Sequence, residues 1–361
     1  MNVLYDYQII QSQKYGGISR YYYELIKAIK RAGSAHTDIR CLFAINKYFG
    51  DELDNKFHKD IGKTKRGKIS LNKLYFKILL STKKYDVFHP TYYDPYYIGH
   101  VKGKVVITVH DMIPELFPEY YGTDFSENKD KAKVIHAADH IIAISESTKK
   151  DIMTLYPDID SDKISVIYHG SSLKKTEITT TRESFPEKYI LFVGNRWAYK
   201  NYSRFWQAVK PLLESDESLH LVCIGGGKFT DEENTYHGNC ADRVMQMDAS
   251  DEALVYAYSH AVCFVFPSLY EGFGIPTLEA FECECPVVLS NTSSMPEVGG
   301  DAVEYIDPYN VDDIRRGIQK VLTDSDLRKD MVERGKAQLS KFDWDDVAKK
   351  VIECYKTVTN S

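Results

Sequence analysis

Two carboxylates separated by seven residues, Glu271 and Glu279, frame the stretch of this chain best equipped for chemistry, Ser268-Leu269-Tyr270-Glu271-Gly272-Phe273-Gly274-Ile275-Pro276-Thr277-Leu278-Glu279. The apolar run from Ala261 to Phe266 reads as a buried strand that ends at Pro267. A Gly-x-Gly turn follows, and Pro276 sits where the first turn of a helix tolerates proline. A strand, a glycine turn and a helix start aim free backbone N–H groups and the positive end of the helix dipole at one point, which is an anion site. Glu271 precedes the turn and Glu279 lies about one turn inside the helix. An anion-binding turn bracketed by two acids suits a ligand carrying both phosphates and hydroxyls, such as a nucleotide sugar.

Other reactive residues sit at strand ends, where open parallel sheets collect their ligands. Gly16-Gly17 lies beyond the first strand, His110-Asp111 follows Val109, and Gly194-Asn195-Arg196 follows Val193 with Lys200 four residues on. Arginine offers a planar fork for phosphate oxygens and lysine a mobile point charge, so Arg196 and Lys200 suit a diphosphate. Glu279 is placed to accept hydrogen bonds from a vicinal diol such as ribose. Glu271 can hold a sugar hydroxyl or face developing positive charge, work that carboxylates do in glycosyl transfer and hydrolysis. His110 can donate or accept a proton. Each has a bland alternative: a surface cation pair, a solvated helix glutamate, a structural histidine. Gly225-Gly226-Gly227 does not complete a dinucleotide fingerprint, because Thr230 stands where its last glycine belongs; the triplet reads as a turn with close backbone contact.

The elements that carry these residues alternate. Strands are expected at Val3–Tyr7, Ile39–Ile45, Val87–Pro90, Val105–Val109, Ile141–Ile144 and Ile164–Ile167, with Gln8 to Lys14 a polar loop and a helix from Ile18 to Arg31 stopped at Gly33. Ser145 caps a helix that closes at Tyr156-Pro157. From Ser171 to Pro186 the chain is polar, threonine-rich and aperiodic, which marks a linker. Strands then resume at Tyr189–Val193, Leu219–Ile224, Val244–Met247, Ala261–Phe266, Pro286–Ser290 and Val303–Ile306, with helices between them, and a final amphipathic helix begins at Trp344. The pattern predicts two α/β domains with mostly parallel sheets, residues 1–172 and 187–340, with 344–361 as the last helix.

At 361 residues the chain suits two domains, and 43% hydrophobic with 27% charged residues is globular. A net charge of −6 gives no case for nucleic acid. Seven scattered cysteines without a CxxC pair read as reduced thiols of a cytoplasmic protein, and they offer no metal-ligand spacing. The first residues read as the start of a strand and not as a signal peptide, and no run of about 18 apolar residues suggests a membrane span. The segment 56–84 is strongly basic, and Leu71, Leu74, Tyr75, Ile78 and Leu79 fall on one face of a helix within it. Such a helix can lie on an anionic membrane surface or turn its apolar stripe to the core.

The Glu271-x7-Glu279 stretch resembles the signature of retaining family-4 glycosyltransferases of the GT-B fold. The likeness extends to Val193-Gly194-Asn195-Arg196 with Lys200-Asn201, to Gly16-Gly17, to Ala143-Ile144-Ser145-Glu146-Ser147-Thr148 and to Pro296-Glu297-Val298-Gly299-Gly300-Asp301-Ala302. It implies two Rossmann-like domains facing across a cleft. Arg196 and Lys200 would neutralise the donor diphosphate, and Gly272, Phe273 and Gly274 would hold sugar and phosphate through backbone N–H groups. Glu271 would bind the transferred sugar, Glu279 the ribose, Gly17 would let the first loop approach the phosphate, and His110 would contact the sugar near the reacting carbon. The family needs no metal and no cofactor beyond its nucleoside-diphosphate sugar. Thr108-Val109-His110-Asp111-Met112-Ile113-Pro114 is similar to a branch of bacterial mannosyltransferases that build surface polysaccharide, which favours GDP-mannose as donor and a saccharide or lipid-linked saccharide as acceptor. His169-Gly170-Ser171 departs from the family's usual Asn-Gly-Val type turn. A sugar-nucleotide epimerase or phosphorylase on the same fold, or a non-enzymatic nucleotide-sugar-binding subunit, are the alternatives.

Overall fold

A computed structural model describes residues 1–50, 59–60, 66–121, 126–175 and 184–360. The chain divides into two compact units, Met1–Gly170 with Asp343–Ser361, and Ser171–Phe342. In the first unit the strands are β1 (Asn2–Tyr5), β2 (His36–Ile39), β5 (Val87–His89), β6 (Lys104–Val109), β7 (His140–Ala143) and β8 (Ile164–Val166), with a separate two-residue pair β3 (Phe43–Ala44) and β4 (Lys59–Asp60). The main sheet has the order β2-β1-β5-β6-β7-β8 and is parallel throughout. Its strands are almost continuously apolar, as sheets covered on both faces require; Val106, Ile107 and Val109 are all buried.

Local expectations fail here where side chains take over backbone partners. The first strand ends at Tyr5, because the buried Asp6 carboxylate gathers the Thr91 N–H and hydroxyl, the Gln8 amide and the Tyr96 hydroxyl. The expected loop from Gln8 to Lys14 contains a helix, Gln8–Ser12, pinned by the fully buried Ile9 and Ile10. The expected strand Ile39–Ile45 breaks after Ile39, since Asn72 Oδ1 accepts the N–H groups of Leu42 and Phe43.

In the basic segment, a helix runs over Arg66–Thr82. Residues 51–58 and 61–65 of that neighbourhood lie outside the described residues. The core-facing stripe is not the one the periodicity suggests. Asn72, Phe76, Leu79 and Leu80 are buried, Tyr75 is half-buried, and Leu71, Leu74 and Ile78 are exposed.

The final helix, Trp344–Asn360, belongs to the first unit and packs on the helix Gly17–Ala32. Val347, Ala348, Val351, Ile352 and Tyr355 are buried, and each large apolar side chain contributes roughly 1.5–3 kcal/mol relative to exposure. Tyr355 Oη lies 2.9 Å from Tyr5 Oη and 2.6 Å from His89 Nδ1, tying the helix to the sheet. Gly170 is required by this helix: a Cβ there would stand 2.6 Å from the Trp344 ring.

The second unit carries β9 (Tyr189–Val193), β10 (His220–Ile224), β11 (Val244–Met247), β12 (Cys263–Phe266), β13 (Val287–Ser290) and β14 (Glu304–Ile306). Their order is β11-β10-β9-β12-β13-β14, again parallel. The chain steps outward from β9 to β11 and then returns to place β12 on the other side of β9. That reversal leaves a crevice at the carboxyl ends of β9 and β12, where doubly wound sheets bind their ligands. All seven cysteines are buried and none is in a disulfide.

Candidate active site

The Glu271–Glu279 stretch leaves β12 at that crevice. Gly274 has φ +107°, a conformation that favours glycine, and the helix Ile275–Glu282 starts directly after it with Pro276 in its first turn. Glu279 is on the buried side of the helix and its Oε2 accepts from Tyr258 Oη at 3.2 Å. Glu271 is buried, and Lys200 Nζ donates to its Oε1 at 2.7 Å. Lys200 ends a short 3-10 turn after β9, and Asn201, held at φ 62°, donates from Nδ2 to the carbonyls of Pro267 (3.0 Å) and Pro308 (2.7 Å). Leu269 N–H donates to Tyr199 O at 2.7 Å, so the β9 and β12 loops are sewn together by backbone as well as side chains.

Residues outside the sequence motifs brace this loop from β13. Ser293 Oγ accepts the Glu271 N–H at 3.0 Å, and Ser294 Oγ reaches the carbonyls of Glu271 (2.9 Å) and Phe273 (3.0 Å). Thr292 Oγ1 donates to Leu269 O at 2.9 Å. The legible signal was a run of hydroxyls, Thr292-Ser293-Ser294, just past the strand beside β12. Two more hydroxyls of the stretch, Ser268 Oγ and Thr277 Oγ1, are fully buried and have no hydrogen-bond partner among the described residues.

Arg196 and Lys200 do not present a joint cationic pair. Arg196 Nε donates to Glu233 Oε1 at 2.6 Å, while Nη1 and Nη2 donate to the carbonyls of Gly225 (3.1 Å), Gly227 (3.0 Å) and Lys228 (3.1 Å). Its side chain is 4% exposed. Gly225, Gly226 and Gly227 all have positive φ, and a Cβ on Gly226 would meet Arg196 Nη1 at 2.9 Å, so the glycine triplet is the turn that wraps this guanidinium. Burial raises the Glu233 carboxyl, but the Arg196 and Thr230 hydrogen bonds outweigh it and hold the group below its ordinary range. Arg196→Ala strands a largely buried carboxylate, and a loss of about 3–5 kcal/mol in stability is expected from denaturant unfolding. An unchanged midpoint would show that the clamp contributes nothing.

His110 and Gly17 belong to the first unit, at the carboxyl edge of its own sheet. Gly17 opens the helix Gly17–Ala32 beyond β1. His110 follows β6, 6% exposed, and its N–H donates to Tyr93 Oη at 3.0 Å. Its ring lies edge-on to Tyr21 with centroids 5.1 Å apart, and His169 and Trp344 complete the aromatic group. The following backbone is held by Lys131, whose Nζ donates to Asp111 O at 3.0 Å and pairs with Glu115 at 2.9 Å. Burial, followed by His169, His89 and Lys131, drives the His110 imidazolium well below its ordinary pKa. The ring is therefore neutral at physiological pH, with Nε2 buried and lacking a partner among the described residues. A neutral imidazole can hydrogen-bond a hydroxyl but does not supply a standing positive charge. The structure thus joins Lys200 to Glu271 and sets Glu279 in the adjoining helix, while Arg196 turns to Glu233.

Residues 15–175 match the family described as Glycosyltransferase Family 4, and residues 174–338 match Glycosyl transferases group 1. The chain is a glycosyltransferase of these families. The O-antigen chain mannosyltransferase B of Escherichia coli is 29% identical to the glycosyltransferase over 73% of this chain and 74% of its own length. The serotype-specific mannosyltransferase WbdA of Escherichia coli is 30% identical over 73% of this chain, but the match spans only 34% of that longer protein. Among solved structures, the sucrose-phosphate synthase of Thermosynechococcus elongatus superposes with a TM-score of 0.75 at 18% identity, covering 99% of this chain and 98% of that one. The fold is the GT-B type, built from two Rossmann-like α/β units. Among the described residues no helix is long and apolar enough to cross a membrane.

Proposed function

We propose that the glycosyltransferase moves a hexose, mannose first, from a nucleoside-diphosphate sugar, GDP-mannose first, to a saccharide or lipid-linked saccharide in polysaccharide biosynthesis. Transfer proceeds with retention of anomeric configuration and without a metal. The observation that carries this reading is the Lys200–Glu271 pair at the crevice between β9 and β12, beside the Gly272–Gly274 turn and the helix bearing Glu279. The mannosyltransferase relatives support the choice of sugar.

In this scheme the incoming diphosphate draws Lys200 away from Glu271. The released carboxylate then takes hydroxyls of the transferred sugar, so one exchange of partners loads both halves of the donor. The start of the helix Ile275–Glu282 adds its backbone N–H groups, and Lys200 with the helix dipole stabilises charge on the leaving diphosphate. Glu279 takes the ribose diol. Gly272, Phe273 and Gly274 hold sugar and phosphate by their backbone. Arg196 acts on the diphosphate from a distance, as the clamp that shapes the 225–228 turn. Gly17 admits the phosphate to the first loop, and neutral His110 holds a sugar hydroxyl near the reacting carbon. The departing phosphate helps to deprotonate the acceptor on the same face.

A thermal-shift panel of sugar nucleotides in EDTA tests the donor. A true donor at a hundred times its Kd stabilises the protein by about 2.7 kcal/mol, so GDP-mannose is expected to raise the midpoint above every uridine and adenosine sugar. Proton NMR of the transfer product then reads the anomeric configuration. No stabilisation by any sugar nucleotide would sink the proposal, and conversion of donor without acceptor would point to an epimerase instead.

The reading extends to location, a cytoplasmic enzyme peripheral on the inner membrane face. Exposed Leu71, Leu74 and Ile78 recur on one side of the helix Arg66–Thr82, with Lys73 and Lys77 among them, as an interfacial helix requires. Co-sedimentation with anionic liposomes is expected, and to fall sharply when Leu74 and Ile78 become serine. Equal sedimentation of that double variant would refute the contact.

A further inference from the structure

Backbone strain in the second unit collects around one pair of side chains. Among the described residues, four other than glycine have a positive φ: Ala198, Asn201, Glu284 and Ser293. Ala198 and Asn201 flank Lys200 in sequence, and Ser293 bonds to Glu271, so three of the four border the Lys200–Glu271 pair. Asparagine enters the left-handed region readily, whereas alanine and serine do so at a cost. Such a conformation persists only where surrounding contacts enforce it, and it gathers at functional sites.

The turn around Ser293 shows what the strain supports. Met295 N–H donates to Thr292 O at 3.2 Å and closes a four-residue turn. Ser293 is its first central residue, with φ +50°, and Ser294 its second, with φ −78° and ψ −9°. Turns that open in the left-handed region take glycine at that first position, because a side chain is strained there. A serine in its place adds a hydroxyl. Among the described residues that hydroxyl has one partner: Ser293 Oγ accepts the Glu271 N–H at 3.0 Å. Ser294 Oγ donates to the Glu271 carbonyl at 2.9 Å, so consecutive hydroxyls grip both sides of one residue's backbone.

We propose that Ser293 is a positioning residue for the transferred hexose: its strained placement fixes the backbone from which the Glu271 carboxylate reaches the sugar. The inference rests on the reading of Glu271 given above. Lys200 ends a flexible four-carbon stem and can follow a new partner when the diphosphate arrives. Glu271 loses that partner in the exchange, so the place of its carboxylate is then set by its own backbone. A displacement of about 1 Å in a group that orients substrate can cost about 10²-fold in rate, which makes a strained but fixed anchor worth keeping. Ser293 acts through Glu271 and not on the nucleotide, which falls to Lys200, the start of the helix Ile275–Glu282 and Glu279. Removing its hydroxyl should therefore weaken the sugar half of donor binding and spare the nucleotide half, a split that general loosening of the unit would not produce.

Calorimetric titration of the full chain tests this with GDP-mannose against GDP, and UDP-glucose against UDP, in the wild type, Ser293→Gly, Ser293→Ala and Ser293→Asn. Glycine suits φ +50°, so Ser293→Gly is expected to melt within about 2–4 °C of the wild type. It is expected to bind the free diphosphate within about twofold of wild type and to lose about tenfold in affinity for its sugar nucleotide, the scale of one orienting hydrogen bond. Ser293→Ala should show the same sugar-specific loss at a lower melting temperature. Ser293→Asn, which tolerates the left-handed region and carries an acceptor oxygen, should regain part of it. An equal loss for sugar nucleotide and free diphosphate in Ser293→Gly, or no loss for either, overturns the positioning role. Failure of the donor reading shows separately, as wild-type protein that binds neither sugar nucleotide, and it removes this inference as well.

Discussion

Lys200→Ala is expected to lower kcat/KM for sugar transfer by about 10²–10³-fold, the loss typical of removing one preorganised group that stabilises developing charge. The reason lies in its position. Lys200 Nζ is 2.7 Å from Glu271 Oε1, with only 15% of the lysine side chain and 11% of the glutamate side chain exposed. A pair so sheltered is costly to keep unless each member has a second task. In the proposed scheme a donor diphosphate would supply it, because the negative charge that grows on the leaving group would be better matched to Lys200 than the static carboxylate is. The loss should fall mainly in kcat, since the interaction strengthens as the glycosidic bond breaks. Steady-state kinetics with a melting curve of each variant check it. Glu271→Gln is expected to lose activity too, and the double variant to lose less than the product of the two single effects, because both act on one exchange of partners. A fall of less than about fivefold in Lys200→Ala, with donor binding retained, would leave the pair a structural one and remove Lys200 from the chemistry.

Acid is expected to unfold the first unit well before it affects the donor side. His89 and His169 are buried neutral and drawn down to about 3 from the ordinary 6.5. His110 is likewise well below it. All three shifts arise first from burial. The unfolded chain protonates these rings below about pH 6.5 while the folded unit does not, so the unfolded state binds more protons and stability falls with pH. The stabilisation is complete above the unfolded value and is progressively lost as pH drops toward 3. Between pH 7 and pH 5 His89 and His169 each remove about 2 kcal/mol, and His110 acts in the same direction. Asp6 and Glu115 oppose the trend, since burial raises both carboxyls and their folded forms take up protons as pH falls, so the net loss is smaller than the histidines alone would give. In the second unit the buried His237 shifts in the same direction as the three histidines. For a unit of this size the roughly 4 kcal/mol from His89 and His169 is worth at most about 8–16 °C in melting temperature. Calorimetry at pH 7 and pH 5 is expected to show the first transition moving by up to that amount. A first transition that stays in place would mean that the histidines are solvated or already charged.

Much of the architecture was legible because strand and helix patterns are local. β6, β7, β9 and β12 are apolar runs bounded by turn residues, and Ser145 accepts the Thr148 N–H as a cap of its type should. Boundaries failed where a distant side chain competed for the backbone. Asp6 with Thr91 ends β1 early, and Asn72 captures the N–H groups that would have prolonged β2. Neither competitor lies within the window that periodicity reads. The helix Arg66–Thr82 shows the same limit, because the sequence marks it amphipathic but the buried side is chosen by Asn72 and Phe76 finding partners far along the chain.

For the site, the sequence by itself determined the chemical inventory: two acids flanking a glycine turn, a lysine at a strand end and the helix starts that complement anions. Those follow from residue type and short spacing. The tertiary structure decided the pairings. Lys200 and Glu271 are 71 residues apart and meet only because β9 and β12 are neighbours in the sheet. Arg196, four residues before Lys200, turns instead to Glu233 and the 225–228 turn. A side chain's charge is written in the sequence, but its partner is set by which strands lie side by side and how far a few rotatable bonds can reach. The Glu271–Glu279 motif and its two candidate cations were therefore visible at once, while the one that meets Glu271 was decided by the sheet order.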